Sequence, residues 1–75
     1  MKAYILINVK PGKLREVVRQ IASFSGVKAA DACWGVPDLF VVVEVANADE
    51  LTRLVIEKIQ PVEGVERSDT HIALE

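Results

Sequence analysis

Residues 32–45 read ACWGVPDLFVVVEV. The stretch splits into two strand-like runs, pinched at Gly35-Val36-Pro37-Asp38. The second run, Leu39 to Val45, is apolar at nearly every position. An antiparallel strand in a small protein ordinarily has one wet face and so alternates. A strand that does not alternate needs cover on both sides. That requirement decides what kind of fold the rest of the chain must build.

Downstream, Asn47 is suited to cap a helix, and Glu50 three residues on completes a capping-box-like pair. Leu51, Leu54, Val55 and Ile59 form the helix's apolar stripe, and Pro61 ends it. Gly64 then turns the chain into a last strand, Val65 to Leu74. Upstream, residues 27–34 read as a strand, weakened by their alanine content. Before it, KLREVVRQIASF (residues 13–24) puts Leu14, Val17, Val18, Ile21 and Phe24 at helical spacing. Arg15, Glu16, Arg19 and Gln20 fall on the wet side of that helix. Pro11-Gly12 opens it and Ser25-Gly26 stops it. Residues 2–9, KAYILINV, carry β-formers on both alternating rows. In the pinch itself, Pro37 and Asp38 suit the second and third positions of a tight turn.

The order is therefore strand, helix, strand, strand, helix, strand, a ferredoxin-like βαββαβ arrangement of class α+β. Right-handed crossovers put both helices on one face of a four-stranded antiparallel sheet. Ile5, Ile7, Leu39, Val41, Val43 and Val45 form the row under the helices. The opposite row holds Tyr4, Leu6, Phe40 and Val42, interrupted by Asn8 and Glu44. Bare apolar faces of this kind mark interfaces. The expected cover is a second copy of the same sheet, giving a dimeric α/β barrel.

Size points the same way. The chain has 75 residues, enough for one domain spanning 1–75. Half its residues are hydrophobic, so it folds, but a core this small is marginal alone. Cys33 is the only cysteine and His71 the only histidine, so neither a disulfide nor a His/Cys zinc site can staple the domain. Oligomerisation is the staple that remains. Formal net charge is −2, unevenly placed: residues 1–37 carry six Lys/Arg and two acids, and residues 38–75 carry three Lys/Arg and nine acids. That balance argues against direct nucleic-acid binding. The apolar start of MKAYILINVK is broken by Asn8 and Lys10, too short for a signal peptide or a membrane span. A cytoplasmic address with no membrane partner is expected.

The Gly-x-x-Asp turn, Gly35 to Asp38, followed by a valine-rich strand, resembles the ligand-binding domain of Lrp/AsnC transcription regulators. That module is also called RAM, for regulation of amino-acid metabolism. The final GVERSDTHIALE resembles the family's Gly-Val then Thr-x-Thr pattern, and the likeness covers essentially the whole chain. It implies a subunit that dimerises through its sheets, with dimers joining into octamers or decamers. It also implies amino-acid or similar small-molecule binding at subunit interfaces, without enzymatic activity or a cofactor. Carried over residue by residue, it points to Gly35, Val36 and Asp38, and to Ser68 and Thr70 on the last strand. Two positions depart from the pattern: Pro37 stands where an aromatic is common, and Trp34 where a hydroxyl residue is common. Both alter the pocket's shape. The chain opens directly at the first strand without the family's helix-turn-helix, so the resemblance implies a stand-alone domain that modulates full-length Lrp/AsnC regulators.

Each candidate has a structural reading beside the functional one. Gly35 and Asp38 are also ordinary turn residues, and Thr70 is a good strand former. Trp34 can line a pocket or anchor an interface, and joins Tyr4, Leu6, Phe40 and Val42 as expected interface residues. Three alternatives remain: an ACT-like regulatory domain, a small dimeric ferredoxin-like enzyme such as an isomerase or cofactor-free monooxygenase, or a structural adaptor that joins larger family members and binds nothing small. An enzyme would start from Cys33 with His71, or from a cluster of Tyr4, Asn8 and Glu44 on the open face.

Overall fold

The computed structural model describes residues 1–74. Strand β1 spans Lys2–Val9, α1 Leu14–Ala22, β2 Val27–Ala32 and β3 Leu39–Glu44. Helix α2, Ala48–Arg53, runs directly into a π-helical segment, Leu54–Ile59, and β4 spans Val65–Ile72. The sheet is fully antiparallel in the order β2-β3-β1-β4, so β1 and β3 are central and β2 and β4 are edges. This is the expected ferredoxin-like βαββαβ fold. Strand ends are shorter than expected: β2 stops at Ala32, β3 at Glu44 and β4 at Ile72.

Side-chain alternation on the central strands separates the two faces. Ala3, Ile5, Ile7, Leu39, Val41 and Val43 are sealed beneath the helices. Val17 and Ile21 of α1, and Leu51, Leu54, Val55 and Ile59 of the second helix, close over them. No polar side chain is buried among the described residues. The core is thus held by burial and packing alone.

The second helix starts as its sequence requires. The Asn47 side chain accepts from the Glu50 N–H at 2.9 Å. The reach-back goes one residue further than a capping box requires: Glu50 Oε2 accepts from the Ala46 N–H at 3.0 Å. The π-helical second half is a feature the apolar spacing did not announce. Its wider turn is closed by Gln60 N–H donating to the Val55 carbonyl, five residues back, at 2.9 Å. Leu54 and Ile59, also five apart, both reach the core. Gly64 then opens β4 with φ +105°. A Cβ there would stand 2.8 Å from Lys13 Cβ and 2.9 Å from Val17 Cγ2, so glycine is required for space as well as for conformation.

Candidate functional site

The face away from the helices carries Tyr4, Leu6 and Asn8 from β1 and Phe40, Val42 and Glu44 from β3. Tyr4 is 42% exposed and Phe40 40%. Cross-strand pairing sets Tyr4 beside Val42 and His71, and Leu6 beside Phe40 and Asp69. The apolar centre is therefore flanked on β4 by Arg67, Asp69 and His71, with Arg67 Nε 3.4 Å from Asp69 Oδ2. The Lys2 ammonium sits 5.3 Å from the Tyr4 ring centroid. This face is an apolar patch with a charged margin, the composition of an interface core and its rim. Trp34 lies apart from it, fully exposed in the loop between β2 and β3.

That loop is closed by Cys33 N–H donating to the Asp38 carbonyl at 2.8 Å. Four residues, 34–37, thus make the connection, and the Val36–Pro37 peptide bond is cis. Asp38 consequently stands at the base of the hairpin, not inside a tight turn as expected from sequence. Its carboxylate reaches across to β1, where Oδ1 accepts from the Val9 N–H at 2.9 Å. Its own N–H donates to the Ile7 carbonyl at 3.2 Å. The aspartate thereby staples the hairpin to the end of β1, and its Oδ2 forms no hydrogen bond within the subunit among the described residues. Gly35 has φ +123°, and nothing lies within 4 Å of where its Cβ would be. The glycine serves the backbone's path, and the space above it is open.

Ser68 and Thr70 share one side of β4, as their spacing requires, and it is the helix side. They pair with Ile7 and Ile5. Ser68 Oγ accepts from Gln60 Nε2 at 3.3 Å. Thr70 lines a shallow groove of about 200 Å³ with Leu51, Thr52, Val55 and Ile56. Since β1 stands between β3 and β4, the hydroxyl pair is about two strand spacings, roughly 10 Å, from the start of β3. Within one subunit, Gly35, Val36 and Asp38 form one group and Ser68 and Thr70 another.

The residues from which an enzyme would start do not converge. Cys33 follows one edge strand and His71 lies on the other, with two central strands between them. Three strand spacings alone separate them by about 14 Å. Glu44 and Tyr4 are diagonal neighbours across β3 and β1, but Asn8 stands four residues from Tyr4 on the same strand, about 13 Å away, so the three do not form one cluster. Among the described residues no group of three His, Cys, Asp or Glu side chains is placed to hold a metal ion. No helix among them is long and apolar enough to cross a membrane.

Residues 2–75 match the model of the Lrp/AsnC ligand binding domain. The chain belongs to this family. Lrp/AsnC ligand-binding domains are the regulatory parts of transcription regulators, and the curated relatives agree. One is an uncharacterised HTH-type transcriptional regulator of Pyrococcus horikoshii, 31% identical over 70 residues, covering 93% of this chain and 44% of the relative. The chain spans about half the length of the curated relatives it matches. Among solved structures, FFRP-DM1 superposes with a TM-score of 0.92 at 33% identity, covering 97% of each chain. A transcriptional regulator from Neisseria meningitidis, solved as an L-Met complex, shares the fold at a TM-score of 0.87. Its identity is 17%, and the match covers 99% of this chain and 49% of that one.

Proposed function

We propose that this Lrp/AsnC domain is a non-enzymatic sensor that binds an amino acid and assembles with copies of itself through its open sheet face. The observation that carries the reading is the uncovered apolar row Tyr4, Leu6, Phe40 and Val42, set on the same strands as a fully sealed core. A second copy of the sheet is the cover that matches it in shape and chemistry, making a dimeric α/β barrel on which larger rings can build. Trp34, fully exposed in the loop between β2 and β3 and apart from that row, offers a separate contact to a neighbouring copy.

The amino-acid part of the proposal is supported by the Gly35–Asp38 loop. An α-amino acid presents an ammonium and a carboxylate close together. Asp38 keeps one carboxylate oxygen without a partner among the described residues, and that oxygen suits the ammonium. Ser68 and Thr70 hydroxyls suit the carboxylate, and in the proposed pocket a neighbouring subunit would supply them to the loop. The methionine bound to the Neisseria regulator is a precedent on the same fold. A pocket completed by a neighbour couples ligand affinity to assembly by linkage. Partnership with full-length Lrp/AsnC regulators is a route by which such coupling would reach transcription.

A thermal-shift screen of the twenty amino acids, followed by calorimetry on the best, tests the reading, because a ligand preferring the native state raises its melting temperature. Saturable binding that shifts the oligomer distribution supports the sensor. No response to any amino acid, with assembly intact, leaves a structural adaptor instead.

A further inference from the structure

A wide open groove on the described surface lies away from both groups of residues just described. It encloses about 610 Å³ between α1 and the end of β2, lined by Gly12, Leu14, Arg15, Val18, Arg19 and Ala32. We infer that this groove is a second ligand site, built for a short aliphatic monocarboxylate that lacks an ammonium group.

The groove arises from the sequence in two steps. The helix-side positions of β2 are Ala30 and Ala32, which pair with Val41 and Leu39. The central strands fill the corresponding positions with valine, leucine or isoleucine. Alanine leaves the space under the outer side of α1 unfilled, and Ala32 stays exposed on an edge strand. Above that space, α1 presents two adjacent stripes at i, i+4 spacing. Leu14 and Val18, both half-buried, form an apolar ceiling. Arg15 and Arg19 run beside them along the rim.

The electrostatics select the ligand. Neither Arg15 nor Arg19 has an acidic partner among the described residues; the nearby Glu16 is taken by Lys13 at 3.9 Å. Two guanidiniums one helical turn apart can each donate to a carboxylate in the geometry that planar fork favours. Among the described residues no acidic side chain lines the groove, so none there answers an ammonium. A 2-oxo acid or a short fatty acid therefore fits where the parent amino acid does not. The apolar ceiling and the alanine floor take the aliphatic tail.

The test is calorimetry with 4-methyl-2-oxopentanoate, hexanoate and L-leucine on the wild type, the double variant Arg15→Gln/Arg19→Gln, and Ala32→Leu. Glutamine keeps helix propensity on an exposed face, and leucine at an exposed edge position fills the groove, so circular dichroism should report an unchanged fold for both. The expected result is saturable binding of the oxo acid or hexanoate by the wild type. Both variants should weaken it at least tenfold, and high salt should weaken it too. Which of the two acids binds more tightly distinguishes a keto acid from a fatty acid as the source. Unchanged affinity in the double variant, or no binding of either acid by the wild type, overturns the inference. So does leucine binding as tightly as the oxo acid and losing that affinity with the arginines. Leucine binding that survives both variants belongs to the interface site and leaves the groove's own selectivity intact.

Discussion

The two faces of the sheet are made from the same strands and each carries an apolar row, yet they end in different states. On one face Ile5, Ile7, Val41 and Val43 are sealed to 1% exposure or less. On the other, one residue along each strand, Tyr4 and Phe40 keep two-fifths of their surface. At their centres both rows are apolar, so hydrophobicity there does not distinguish them. What distinguishes them is cover: two helices suffice for one side only. In this fold an apolar face that the chain does not cover is a statement about partners, whereas the covered one is a statement about stability. Mutations on the two faces should accordingly be read out by different measurements.

The largest effect is expected on the sealed face. Ile5→Ala removes a fully buried side chain from the central strand and should cost about 2–5 kcal/mol. For a domain this small that is most of its stability, and chemical denaturation should show it directly. Gly64→Ala works on the same side by overfilling. The new Cβ would press on Lys13 and Val17 while holding an unfavourable φ, and a loss of about 1–3 kcal/mol is expected in the same assay.

Asp38 links the sealed core to the loop, so its two substitutions sharpen the division between structure and binding. Asp38→Ala leaves the Val9 N–H without its partner and should cost about 1–3 kcal/mol of stability. Asp38→Asn retains an acceptor for that N–H while removing the charge. It should fold nearly as stably as the wild type yet lose about 1.5–3 kcal/mol of amino-acid affinity, the scale of a hydrogen bond to a charged group. Equal affinities in calorimetry would remove Asp38 from the proposed site. On the open face, Phe40→Asp should cost the isolated subunit only about 1 kcal/mol, because the side chain is already partly wet.

The fold was legible because its signals are local and mutually consistent. The paired rows of β1 and β3, the Asn47–Glu50 cap and the Pro61 stop each pointed to the element that formed. The uncovered row was also legible, since alternation assigns every residue of a strand to a face. What escaped notice depends on contacts across the sheet. Nothing near Asp38 in sequence indicates that its carboxylate is spent on Val9, twenty-nine residues away. Likewise the Ser68 and Thr70 pairing could be read from spacing, but which face they share is fixed only by the register of β4 against β1. The groove over β2 was visible only as a weakness, the alanines that lowered the strand signal. The π-helical turn has no sequence signature of its own here, because Leu51, Leu54, Val55 and Ile59 also suit a regular helix.

On the proposed reading, another copy of the chain covers the open face. Size-exclusion chromatography with light scattering, run at micromolar concentration on the wild type and Phe40→Asp, tests it most directly. The wild type should elute at twice the chain mass or a higher even multiple, and Phe40→Asp should be folded and elute at the mass of one chain. Its melting temperature should then no longer depend on concentration. A wild type that is monomeric, or a Phe40→Asp variant that assembles as the wild type does, would contradict it.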